Sequence, residues 1–331
     1  MIFENDNIIL SSKELSIGYK NNILLENLNL SLFAGELVCL IGPNGCGKST
    51  LIRTLSGLQE GFSGNIFIKD ENIKSLNYHK RAKLISIVLT ERMNANSLSV
   101  QQIVSLGRYP YTNWLGKLSS SDEEIIANSI GLVHLTEKKD NIYMELSDGE
   151  KQRTMIAKAL AQDTSIVFLD EPTAHLDLPN KIDIMLLLRK LAKETQKSIF
   201  LSTHELDLAL QTTDKIWLLS DKKIEKGIPE DLVLTKKIET TFGTDRFQFD
   251  ENTGNFCMNY ETKKSVQLIG NGLYKYWTTR ALNREGYDIS ENAFIKITTT
   301  EKNTWIIEYN SFKKEVPNIE NLLSTIAELE K

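Results

Sequence analysis

The nine residues Gly42-Pro-Asn-Gly-Cys-Gly-Lys-Ser-Thr50 constrain this chain more than any other stretch. They follow a short apolar run, Glu36-Leu-Val-Cys-Leu-Ile41, and lead into a segment with apolar residues at helix spacing. Strand, glycine-rich loop and helix, in that order, is the setting in which the pattern GxxxxGK[ST] turns backbone amides toward phosphate. The helix N-terminus adds a field that favours anions. Gly42, Pro43, Asn44, Gly45, Cys46 and Gly47 are therefore expected to wrap the phosphates of a nucleotide. Lys48 would pair with its β- and γ-phosphates, the Ser49 hydroxyl would ligate Mg²⁺, and Thr50 completes the pattern.

A second stretch supplies the complement. Ser165-Ile-Val-Phe-Leu-Asp-Glu-Pro172 reads as a buried strand with two carboxylates at its end. Asp170 is placed to hold the metal through water, and Glu171 to polarise an attacking water as general base.

Between and beyond these stretches the pattern is that of a layered α/β protein. Residues 8–70 read as short strands, and the region to about Gln162 is mostly helical, with helices expected at Val100–Leu106, Asp122–Leu132 and Glu150–Ala161. Strands then alternate with helices up to Ser220, the signature of a parallel sheet with crossover helices. Near residue 245 the pattern changes to a small α+β domain. Its strands are expected near Phe256, Val266, Phe294, Trp305 and Phe312, and its helices at Tyr274–Arg284 and Ile319–Leu329. Charge does not mark this boundary, because residues 246–331 hold 11 basic and 12 acidic side chains within a chain of formal net charge −5. That mild acidity also argues against broad nucleic-acid binding by bulk charge, and no nucleic-acid partner is expected. Cys39, Cys46 and Cys257 form no CxxC pair, which fits a reducing compartment and neither a disulfide scaffold nor a thiolate metal site. No apolar run approaches the roughly 20 residues that span a bilayer. The N-terminal run Met1-Ile-Phe-Glu-Asn-Asp lacks the features of a secretory signal, so a soluble protein with any membrane role exerted through a partner is expected.

Further motifs carry a family resemblance. Leu146-Ser-Asp-Gly-Glu150, followed by Lys-Gln-Arg, resembles the LSGGQ signature of ABC ATPases and lies just before the Asp170 strand, as it does in them. Ala174-His-Leu-Asp177 resembles their D-loop, and His204 their switch histidine. Tyr19, 23 residues before Gly42, is similar to the aromatic residue that stacks on adenine. The resemblance covers about residues 8–240. It implies a P-loop ABC ATPase domain over 1–245, with a RecA-like parallel sheet core, an antiparallel β subdomain and a helical subdomain at about 91–163. It also implies a homodimer in which Leu146, Ser147, Asp148, Gly149 and Glu150 face ATP bound by the other subunit, so that hydrolysis needs two chains.

The chain departs from that family in two places. Where the family has a Q-loop glutamine, after the strand Leu84-Ile-Ser-Ile-Val-Leu, this sequence offers Thr90 or Glu91. The signature carries Asp148 and Glu150 where Gly and Gln are usual, adding negative charge near a phosphate. Because Ser147 and Gly149 are kept, the contact is expected to survive.

Gly107-Arg-Tyr-Pro110, with Trp114-Leu-Gly116 and Ala161-Gln-Asp-Thr164, resembles a segment of the ATPases of iron–siderophore, haem and cobalamin importers. That resemblance implies a peripheral subunit on the cytoplasmic face of the cell membrane, working with a separate permease and an upstream binding protein. The plainer reading is that Tyr109, Tyr111 and Trp114 simply pack the helical subdomain. A soluble ATPase of iron–sulfur cluster assembly is the alternative function. Residues 246–331 match no motif, and regulation or dimer support is the expectation for them. Trp277, Arg280 and Arg284 read either as a core tryptophan with solvated arginines or as a ligand or partner face.

Overall fold

The computed structural model describes residues 7–19, 22–90, 95, 97–113, 116–244, 246–251, 253–300 and 303–329. The chain separates into two compact units, Met1–Gly243 with Phe249–Asn255, and Thr244–Gln248 with Phe256–Lys331.

In the first unit, a sheet of six described strands runs Lys223–Gly227, Lys215–Ser220, Leu37–Ile41, Ser198–Ser202, Ile166–Asp170 and Ile85–Val88. All neighbours are parallel except the first pair, a hairpin at the edge. The three central strands are buried at every position, which is why they read as unbroken apolar runs and not as alternation. Helices cover one face through Ile184, Met185, Leu188 and Leu191. The other face packs on Leu51, Ile52 and Leu55 of the Lys48–Leu55 helix and on the antiparallel sheet. That second sheet pairs the long strand Ile8–Tyr19 with Asn22–Leu28, Ser31–Phe33 and Ser63–Ile68, all antiparallel.

The helical subdomain contains Val100–Ser105, Ser120–Leu132 and Asp148–Ala161. The last two begin earlier than apolar spacing suggested, because Ser119 and Ser147 cap them in reciprocal capping boxes with Asp122 and Glu150. Leu106–Tyr111 is 3₁₀ and not a continuation of the helix before it, with Pro110 inside it. Arg108 is buried there. Its Nε donates to Asp122 Oδ1 at 2.8 Å, one terminal nitrogen donates to the Ala161 carbonyl at 2.9 Å, and the guanidinium stacks 3.9 Å from the Tyr111 ring centroid. Gly107 is where two backbones approach, since a Cβ would lie 2.3 Å from the Lys158 carbonyl. The packing reading thus holds for Tyr111 and fails for Tyr109, which is 78% exposed. Trp114 lies outside the described residues.

The second unit holds a mixed sheet in the order Tyr287–Ile289, Lys264–Ile269, Ile295–Thr299, Trp305–Tyr309 and Phe312–Val316. The first three strands are parallel and the rest antiparallel. The short strand Tyr287–Ile289 was not expected from sequence, because three residues are too few to show a period. The core is Val266, Leu282, Ile297, Ile307, Leu322 and Ile326, all fully buried. Its tryptophan is Trp305, whose indole donates to Thr278 Oγ1 at 2.7 Å, while Trp277 is 50% exposed beneath Arg280. The core reading of Trp277 is therefore wrong: it sits one position too far round the Gly272–Arg284 helix, which buries Thr278, Ala281 and Leu282 instead. Phe294 likewise lies just outside its strand and is exposed.

Candidate active site

Three neighbouring strands of the parallel sheet, Leu37–Ile41, Ser198–Ser202 and Ile166–Asp170, end side by side, and the expected chemistry emerges from all three ends. From the first comes the phosphate loop. Gly45 and Gly47 adopt φ of +76° and +105°, which L side chains rarely adopt, and Gly42 leaves no room for a Cβ against Leu219. Lys48 is 6% exposed, and its ammonium donates to the carbonyls of Gly42 at 2.8 Å and Pro43 at 3.1 Å, closing the loop on itself. Pro43, Asn44 and Gly45 are exposed at the mouth, with Ser49 half-buried at the helix start and Thr50 buried behind it. Burial raises the half-buried Cys46 thiol above its ordinary range, so at neutral pH it acts as filler and not as a thiolate.

Tyr19 ends the strand Ile8–Tyr19 and is 51% exposed, with its hydroxyl accepting from Thr50 Oγ1 at 2.8 Å. An exposed ring tethered to the phosphate helix suits a base platform.

At the end of the Ile166–Asp170 strand, Asp170 is buried and accepts the Ser202 hydroxyl at 2.6 Å. The same hydroxyl oxygen accepts the Glu171 N–H at 3.0 Å, so Ser202 holds both carboxylate residues in register. Ser202 was not singled out from sequence; the available signal was its place opposite Asp170 at the end of the neighbouring parallel strand. Glu171 has φ of +51°, a conformation that costs a non-glycine residue about 1–3 kcal/mol and concentrates at functional sites. It aims the carboxylate at His204, whose Nε2 donates to Glu171 Oε1 at 2.7 Å.

Thr90 lies on the same edge, its hydroxyl donating to the Asp170 carbonyl at 2.9 Å. That proton is therefore committed to the Ile166–Asp170 strand. Glu91 lies outside the described residues. Thr90 and Glu171 also line a cleft of about 100 Å³ with Asp148, Gln152 and Met155 of the signature helix.

The signature residues lie at the start of the Asp148–Ala161 helix: Leu146 is buried, Ser147 and Asp148 are exposed, and Glu150 is half-buried. Gly149 is buried against Asn180, whose Oδ1 lies 2.4 Å from where a Cβ would stand. Asn180 in turn donates its side-chain amide to Asp177 Oδ1 at 2.6 Å, and Asp177 caps the Leu178–Thr195 helix. One chain thus gathers Lys48, Ser49, Asp170, Glu171, His204 and Thr90 around the ends of the sheet, and carries Ser147 to Glu150 on the helical subdomain.

The chain is similar to known proteins. The ABC transporter family matches residues 25–174, and the iron ABC transporter C-terminal domain matches residues 262–327. The petrobactin import ATP-binding protein FpuD of Bacillus anthracis is 38% identical over 70% of this chain and 86% of its own. The iron(3+)-hydroxamate import ATP-binding protein FhuC of Bacillus subtilis is 32% identical over 78% of this chain and 98% of its own. Among solved structures, the dimeric bacterial ABC transporter cassette MJ0796 is 25% identical with a TM-score of 0.58, covering 67% of this chain and 99% of its own.

Proposed function

Since this chain belongs to the ABC transporter family and is an ATPase, we propose that it powers uptake of an iron–siderophore, haem or cobalamin-like ligand through a separate permease. Two copies close head to tail over two ATP molecules, each lending Ser147 and the Gly149 amide to its partner's nucleotide. The observation that carries the catalytic half is the His204–Glu171 hydrogen bond at the strand end beside the loop.

Glu171 accepts a proton from the attacking water, and His204 holds its carboxylate in place. Lys48 is already aimed across the loop and exchanges the Gly42 and Pro43 carbonyls for phosphate oxygens. Asp177 stations the D-loop at the dimer seam. The donor set fits Mg²⁺: Asp170 offers a carboxylate and Ser49 a hydroxyl. Among the described residues no cluster of three His, Cys, Asp or Glu could hold a metal unaided. Phosphate oxygens and water would complete the shell, which Mg²⁺ favours. When bound, that ion neutralises charge on the phosphates.

Among the described residues no helix is long and apolar enough to cross a membrane. The chain is assigned to the cytoplasmic face of the cell membrane, where exposed Tyr109 helps line a groove for a short permease helix. A binding protein delivers the ligand from the other side. The match of residues 262–327 to an iron ABC domain and the import proteins among the relatives support the ligand class. Nothing comparable supports iron–sulfur assembly. The second unit supports the dimer or regulates it.

The test is co-purification from detergent-solubilised membranes with a multi-span permease, then reconstitution in lipid vesicles. Hydrolysis should rise when binding protein loaded with a ferric siderophore is added. A chain that purifies free of any multi-span protein and hydrolyses ATP at a rate indifferent to ferric ligands overturns the importer reading.

A further inference from the structure

The helix that should meet the partner subunit's phosphate begins with two acids, Asp148 and Glu150. A helix start carries only about half a unit of positive charge. Each carboxylate left uncompensated there works against the field an incoming phosphate meets. The structure shows how Glu150 is handled. One of its carboxylate oxygens accepts the Ser147 N–H at 3.0 Å, while Ser147 Oγ accepts the Glu150 N–H at 3.3 Å. Its other oxygen accepts the ammonium of Lys138. Lys138 closes the short turn Thr136–Lys138, and its backbone is pinned on both sides. Its N–H donates to the Leu135 carbonyl at 2.9 Å, and its own carbonyl accepts from Asn141 at 3.0 Å. The following residues are tied to the Val100–Ser105 helix, where Val100 and Gln101 donate to the carbonyls of Asn141 and Lys139. An anchored loop thus delivers the cation. The Glu150 carboxyl is held below its ordinary range, chiefly by the Lys138 hydrogen bond.

We infer that Lys138 is a positioning residue for the partner subunit's ATP, folding Glu150 back and cancelling its charge so that Ser147 and the Gly149 amide can receive phosphate. This rests on the head-to-tail reading above. It also accounts for how a signature with glutamate in place of glutamine can still meet an anion: Glu150 keeps the capping box, and the positive charge comes from outside the motif.

The experiment uses the full chain carrying Glu171→Gln, with ATP and Mg²⁺ as the probe and dimerisation followed by sedimentation. Lys138→Ala should weaken the ATP-dependent dimer roughly tenfold, because each dimer holds two such sites and each costs a few-fold. Lys138→Arg should restore it. Glu150→Gln keeps the capping box and frees the ammonium, so it should tighten the dimer. Those opposite signs are the diagnostic, since a bridge that only braced the loop would make both variants weaken it alike. An unchanged dimer in Lys138→Ala, or weakening by both variants, overturns the inference while leaving the head-to-tail reading in place. A Glu171→Gln parent that stays monomeric with ATP overturns that reading and this inference with it.

Discussion

The phosphate loop and the signature turn are both helix starts, yet the chain builds them by different means. Lys48 is buried and clasped by two carbonyls of its own loop, with the fully buried Leu37–Ile41 strand behind it. Ser147 and Asp148 are exposed, and their turn is held by a capping box and one cation from a neighbouring loop. In the proposed head-to-tail dimer the difference follows from the task. A half-site that serves its own chain's nucleotide can be assembled in advance by burial, whereas one that serves another chain's nucleotide must stay open and be kept in shape locally. Mutations in the first half should impair the nucleotide site of the chain that carries them, and mutations in the second the site of its partner.

The largest expected effect lies wholly in the first half. Glu171→Gln should slow hydrolysis about 10²–10⁴-fold while leaving ATP bound, and it should trap an ATP-bound dimer. Parental turnover by this variant, measured by phosphate release, would remove Glu171 as the base.

Next comes the brace beneath the second half. Asp122→Ala leaves the buried Arg108 unpaired and should destabilise the helical subdomain by about 3 kcal/mol, read as a lowered denaturant midpoint. ATP binding at the loop should change far less than dimer-dependent hydrolysis. The Asp122 carboxyl is lowered to about 2, first by the Ser119 hydrogen bonds and then by Arg108. Its contribution is therefore complete above about pH 4, the unfolded value, and is lost as pH falls toward 2.

A smaller effect tests the comparison itself. Mixing a Lys48→Ala chain with a Ser147→Ala chain should rebuild one competent site per heterodimer, so two inactive preparations mixed in equal amounts recover about a quarter of the parental rate when chains pair at random. Absence of recovery, with heterodimers demonstrated, would place Ser147 in the same chain's site.

The smallest expected effect concerns the missing glutamine. Thr90→Ala removes the hydrogen bond to the Asp170 carbonyl and should shift the Mg²⁺ midpoint of hydrolysis by about two- to tenfold. Glu91→Ala, measured alongside, separates a metal role from one in mechanical coupling. Unchanged midpoints in both, with transport alone impaired, would leave the segment only the latter.

Much of this was legible in the sequence for a physical reason. The loop, the Asp170–Glu171 pair and His204 each sit at the end of a buried strand, so an apolar run marks where each side chain emerges. Ser202, Asn180 and Lys138 were missed because the residues they meet, Asp170, Gly149 and Glu150, are 32, 31 and 12 residues away through folds or turns that no local period reports. The second unit was harder. Its helices and most strands could be read, but Trp277 and Trp305 could not be told apart, because an aromatic side chain carries the same hydrophobic signal whether it faces the core or water. Only the helix phase set by Thr278 and Leu282 decides that.

One contact described above joins the two halves. Gly149 has no room for even a single carbon because Asn180 fills the space, and Asn180 is tied to Asp177. The signature of a chain is thereby meshed with that chain's own D-loop, like two teeth on one wheel. In the proposed head-to-tail dimer, a shift of the signature turn toward the neighbouring nucleotide should therefore carry with it the turn that follows the same chain's Glu171, and the two sites of the pair should close together.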